Sequence, residues 1–77
     1  MDTKSEGVKS QMYAWLLEEI LDAQSMGVSV SVDGENYSVE DVARLHGVME
    51  DHYYMKSYVT DRSGKIVQID FDQIIGV

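Results

Sequence analysis

The run Val28-Ser29-Val30-Ser31-Val32-Asp33-Gly34 constrains the fold more than any other stretch of the chain. Strict alternation of valine and serine does not fit a helix, where apolar positions recur every three or four residues. It fits a strand with one buried face and three inward valines. The Asp-Gly pair that follows is a strong hairpin signal, because both residues tolerate the positive φ of a type I′ turn. Glu35-Asn36-Tyr37 then returns as a short second arm. The chain therefore contains a sheet, and the remaining segments have to supply its other strands and its cover.

The cover comes first in the chain. Ser10 is placed to cap a helix over residues 11–26, in which Tyr13, Leu16, Leu17, Ile20 and Ala23 or Gln24 fall on one stripe. Trp15 and Leu21 widen that stripe, while Glu18, Glu19 and Asp22 take the wet side. Gly27 is suited to end the helix in a left-handed conformation. Residues 1–9 are polar and read as a flexible leader, which leaves residues 10–77 as one domain. After the first hairpin, Ser38-Val39-Glu40-Asp41 is a capping-box pattern with Asp in the usual Glu position, and it predicts a second helix. Val39, Val42, Ala43 and His46 form its stripe, flanked by Leu45 and Met49, and Gly47 either ends the helix or sits in its last turn.

Tyr53 to Thr60 is rich in strand formers. Asp61-Arg62-Ser63-Gly64 reads as a reverse turn, and residues 65–71 return as a strand. Alternation puts Tyr53, Met55 and Val59 on the core face and Tyr54, Lys56 and Tyr58 on the other. On the returning strand Val67, Ile69 and Phe71 face inward, while Gln68, Asp70 and Asp72 face out. The expected fold class is α+β, in the order α-β-β-α-β-β, with an antiparallel sheet covered on one face by the N-terminal helix.

No cysteine is present, so neither a disulfide nor a thiolate metal site can hold the 77-residue chain together. A chain this short then needs efficient packing or self-association. Ile66, Ile74, Ile75 and Val77 are apolar where a strand edge or a terminus should be polar, and they are the candidates for burial between two copies in a homodimer. No run is long enough to span a membrane, and residues 1–11 lack the apolar core of a signal peptide, which points to the cytoplasm.

Fourteen acidic against six basic side chains give a net charge of −8. That disfavours direct contact with nucleic acid or a membrane, since phosphate contacts need Lys and Arg. It favours attraction to the basic surface of a protein partner, with a nucleic-acid-binding enzyme as the candidate. Tyrosine adds broad contact with a polar tip. The candidate binding surface is Glu50, Asp51, Tyr54, Tyr58, Asp61, Asp70 and Asp72.

Two chemical readings compete with binding. His46 and Glu50 lie four residues apart, with His52 close behind, and such a set can ligate a divalent metal. The spacing is not that of a zinc-protease helix, however, and Gly47 weakens the helix it would need. Asp70 and Asp72 would stand roughly 7 Å apart on one side of a strand, a spacing that suits paired carboxylates but also describes any wet strand face. No nucleophile elbow, phosphate-binding loop, dinucleotide fingerprint or Ser/His/Asp set is present. The expectation is a non-enzymatic protein with no cofactor.

Tyr13-Ala14-Trp15-Leu16-Leu17-Glu18-Glu19-Ile20 and Tyr54-Met55-Lys56-Ser57-Tyr58-Val59-Thr60-Asp61, the latter followed by Gly64-Lys65-Ile66, flank Val32-Asp33-Gly34-Glu35. Across residues 12–75 this pattern resembles short acidic proteins of gut Firmicutes and their mobile elements, a group with no catalytic residues to carry over. Small acidic proteins of phages and plasmids include anti-CRISPR and anti-restriction inhibitors, to which the chain is similar in size and charge only. The resemblance implies an inhibitor that occupies a nucleic-acid-binding surface.

Overall fold

The computed structural model describes residues 7–74. Helix α1 (Gly7–Ser25) leads into strand β1 (Ser29–Val32) and strand β2 (Glu35–Asn36). A 3₁₀ turn (Val39–Asp41) runs on into helix α2 (Val42–Val48), and strands β3 (Tyr54–Thr60) and β4 (Ile66–Gln73) follow. The class is α+β in the expected order.

The local stop and turn signals act as the sequence indicates. Gly27 sits at φ 72°. Its N–H donates to Gln24 O at 3.2 Å, and that of Val28 donates to Ala23 O at 2.8 Å. This is a Schellman closure of α1, which satisfies carbonyls the helix would otherwise strand. Asp33 and Gly34 adopt φ 51° and 89°, the mirror-image turn that matches the twist of the β1–β2 hairpin. The Asp41 carboxylate accepts from the Ser38 N–H at 2.9 Å and the Ser38 hydroxyl at 3.1 Å, closing the capping box with the shorter acid. Gly47 lies in the last turn of α2.

Several expectations need correction. The helix begins at Gly7, so residues 7–9 are helical and Ser10 lies inside α1 rather than capping it. A group distant in sequence supports this early start: the Asp51 carboxylate accepts the Lys9 N–H at 2.8 Å, satisfying a first-turn donor. The sheet is mixed, not antiparallel throughout. Its order is β2-β1-β4-β3, with β1 and β4 parallel and the other pairs antiparallel.

The faces of β3 are the reverse of those expected. Residues directly opposite in an antiparallel pair share a face, and Lys56 lies opposite Phe71, Tyr58 opposite Ile69. Because Ile69 and Phe71 are buried under α1, Tyr54, Lys56 and Tyr58 take the helix-covered side. Tyr54 is 4% exposed, whereas Tyr53 and Met55 are 55% and 54% exposed. Val67 is exposed as well, because the pairing shifts register between Val59 and Thr60 and leaves Val67 as the extra residue of a bulge.

The core forms where α1 lies on the sheet. Leu16, Ile20 and Ala23 meet Val30, Val32, Ile69 and Phe71, with Tyr37, Leu45, Met49 and Tyr54 closing one side. Trp15 packs edge-on against Phe71, with centroids 5.1 Å apart and planes at 88°. Leu21 does not join the stripe and is exposed. The buried positions here are Leu45 of α2 and Met49 just past its end, and Ala43 and His46 are exposed. The preceding 3₁₀ turn winds more tightly than an α-helix and so rotates the stripe.

Candidate functional site

β4 and β1 run parallel, so their C-terminal ends lie together at the end of the sheet remote from the β3–β4 turn. Five exposed carboxylates gather there from three segments: Asp33 and Glu35 from the first hairpin, Glu50 and Asp51 from the α2–β3 loop, and Asp72 from β4. Asp33 is fixed by its N–H bond to Phe71 O at 2.8 Å. Its carboxylate accepts from the Gln73 N–H at 3.0 Å and the Gln73 amide at 3.2 Å. The Glu50 N–H donates to the Tyr54 hydroxyl at 3.3 Å. Burial pushes the Tyr54 phenol above its usual range, and the charges of Asp33 and Glu50 act in the same direction.

Basic side chains concentrate on the β3–β4 hairpin, with Arg62 and Lys65 at its turn and Lys56 beside Phe71, one residue from the row of Asp72. These three are half of the chain's six Lys and Arg, and Asp61 is the sole acid of the turn. Lys56 reaches Glu19 of α1 at 2.9 Å, and this hydrogen bond foremost holds Lys56 above the ordinary lysine range. Glu19 is therefore half-sheltered in an ion pair rather than on the wet side. Between the helix and this hairpin lies an open groove of about 420 Å³ with Met26, Val28, Tyr58, Ile66 and Ile69 as its apolar lining. A second groove of about 350 Å³ lies beside Tyr37 and Asp41.

The candidate binding residues divide accordingly. Glu50, Asp51 and Asp72 belong to the acidic end. Tyr54 reaches that end but is buried, so its phenol offers no exposed contact and Tyr53 is the exposed ring instead. Tyr58 is half exposed and lies by the groove, with Lys56 Nζ 5.1 Å from its ring centroid. Asp70 is on the uncovered sheet face, where it accepts from the buried Ser31 hydroxyl at 2.8 Å and from the Gln68 amide at 2.6 Å. Asp61 organises its own turn, accepting from Ser63 N–H at 2.9 Å, Ser63 hydroxyl at 2.7 Å and Lys65 N–H at 3.0 Å. Asp33 and Glu35 escaped the sequence reading because hairpin-turn acids look solvated until β4 is placed beside them.

Of the self-association residues, Ile66 and Ile74 are exposed, and Ile75 and Val77 lie outside the described residues. The metal set does not assemble. His46 packs edge-on to Tyr13 with centroids 4.7 Å apart, and among the described residues no three His, Asp or Glu side chains converge on a metal position. Among the described residues, no helix is long and apolar enough to cross a membrane.

Two carboxylates give the fold a defined acid response. Backbone and hydroxyl bonds from Ser38 hold Asp41 below the usual carboxylate range, and the Ser63 hydroxyl foremost does the same for Asp61. A depressed folded-state pKa contributes stability that is present above the unfolded value and lost as pH falls through the folded one. The urea midpoint is therefore expected to fall below about pH 4, and Asp41→Asn with Asp61→Asn should flatten that fall. A midpoint that stays level through this range in the parent protein would contradict the assignment.

Comparison with known proteins returns no match: no family model, no curated protein and no solved structure corresponds to this chain.

Proposed function

We propose that the protein is a non-enzymatic binding module whose acidic end docks on the basic surface of a protein partner, in the manner of an inhibitor that covers a nucleic-acid-binding site. The observation that supports this reading is the convergence of Asp33, Glu35, Glu50, Asp51 and Asp72 from three segments at one end of the sheet, away from Arg62 and Lys65 at the β3–β4 turn. Exposed like charges held together raise the local potential and steer a partner of opposite sign. Tyr53, half exposed between Asp51 and the sheet, adds a ring of the kind that anchors interfaces. The expected sequence of events is electrostatic encounter, docking, and exclusion of the phosphate backbone that the basic surface otherwise holds.

The test is capture from a bacterial lysate at low salt on the immobilised protein, followed by identification of what is retained. Nucleic-acid-handling proteins are expected, released both by raising the salt and by adding double-stranded DNA. Retained proteins that survive high salt and ignore the DNA would overturn the reading.

A further inference from the structure

The outer edge of β3 ends the sheet, and among the described residues no strand pairs with it. Sheet edges are ordinarily protected by shortness, proline, or a charge that obstructs pairing. The other edge strand, β2, is only two residues long. β3 runs for seven residues without proline, and its one charge, Lys56, is drawn across to Glu19 on the helix side.

The ladder shows which main-chain groups this edge offers. The Ile74 N–H donates to Tyr53 O at 2.8 Å, which makes Tyr53 and Ile74 a hydrogen-bonded pair. Bonded and non-bonded pairs alternate along an antiparallel ladder. Met55, Ser57 and Val59 therefore bond to β4, and the N–H and C=O groups of Tyr54, Lys56 and Tyr58 point outward.

We propose that β3 pairs antiparallel with β3 of a second copy, about a two-fold axis through Ser57, joining two sheets into one. Three registers would let the outward groups of both copies meet near the strand centre, and the side chains choose among them. Centring on Lys56 sets the two ammonium groups opposite each other, which is repulsive. Centring on Tyr58 leaves Tyr54 and Met55 without partners in the other strand. Centring on Ser57 uses the whole strand: Lys56 faces the second copy's Tyr58, and exposed Met55 faces the second copy's Val59. The small Ser57 meets its own counterpart at the non-bonded position, where strands come closest.

Charge complementarity supports the same arrangement. Antiparallel pairing brings the hairpin turn of one copy, with Arg62, alongside Glu50–His52 of the other. Two molecules of net charge −8 then meet with unlike ends adjacent, at both ends of the joint strand pair. The inference stands apart from the docking of the acidic end on a partner, since it concerns the sheet edge and needs no third molecule.

Because the chain has no cysteine, cross-linking gives a direct test on the full-length protein. Non-bonded antiparallel pairs place their Cα atoms about 4.5 Å apart, within disulfide reach. Ser57→Cys is expected to oxidise to a covalent dimer at least roughly tenfold faster than Ser63→Cys at the exposed turn, a gap of about 1.4 kcal/mol in barrier. Ser57→Glu and Ser57→Lys should each sediment as monomers while keeping the parent circular dichroism, and an equimolar mixture of the two should recover the dimer. Equal oxidation rates for the two cysteine variants, or a parent protein that sediments as a monomer at all concentrations, would overturn the proposal.

Discussion

Phe71→Ala is expected to remove about 3–5 kcal/mol of stability, the range found when a buried aromatic is cut back to a methyl group. Phe71 is fully buried in the central strand pair, beneath Trp15 of α1 and between Val32 of β1 and Lys56 of β3. Its removal therefore leaves a void that touches three strands and the helix. A chain of this length holds roughly 4–12 kcal/mol in total, so the loss consumes much or all of it. A drop of at least about 12 °C in melting temperature is expected where a transition survives at all. Leu21→Ala, on the exposed side of α1, should stay within about 0.5 kcal/mol. Comparable losses at the two positions would contradict the placement of the core.

That contrast shows how far the sequence can be read. Gly27, Asp33-Gly34, Ser38 with Asp41, and Asp61 through Gly64 each act within a few residues of themselves. Their backbone consequences are local and therefore legible. Phe71 is legible too, because its alternation with Asp70 and Asp72 leaves one face to choose. Leu21 is not, since a helix stripe widened by one residue looks the same whether or not a strand lies beneath it.

β3 marks the limit more clearly. Tyr53, Tyr54, Met55, Lys56 and Tyr58 give two faces of nearly equal apolar character, and local preference favoured the one without lysine. The register with β4 decides otherwise, and Lys56 becomes tolerable on the covered face because Glu19 comes from another element to meet it. The start of α1 has the same kind of cause, a carboxylate from Asp51 arriving 42 residues away in sequence. Of the acidic surface, the sequence reveals the charge but not its sorting. Parallel pairing of β1 with β4 is what carries Asp33 to the side of Gln73 and separates the acidic end from Arg62 and Lys65 at the β3–β4 turn.

Neutralising part of that end is expected to weaken partner binding about 3- to 100-fold. The estimate follows from three exposed ion pairs at about 0.2–1 kcal/mol each, with 1.4 kcal/mol per factor of ten. The informative variant combines Asp33→Asn, Glu35→Gln and Asp72→Asn. Asparagine tolerates the left-handed backbone that Asp33 adopts, and its amide oxygen can still accept the Gln73 N–H, so the turn is retained. Glu50 and Asp51 stay in place, because the first adjoins Tyr54 and the second caps α1. Leaving them untouched also leaves the charges that would meet Arg62 of a second copy, so a loss of partner binding reports on docking alone. The logarithm of affinity should fall less steeply with salt in the triple variant than in the parent, since fewer charges are screened at the interface. Asp61→Asn, at the far turn, should leave the partner affinity unchanged. If the triple variant binds its captured partner as tightly as the parent and with the same salt slope, the contact is made elsewhere on the molecule.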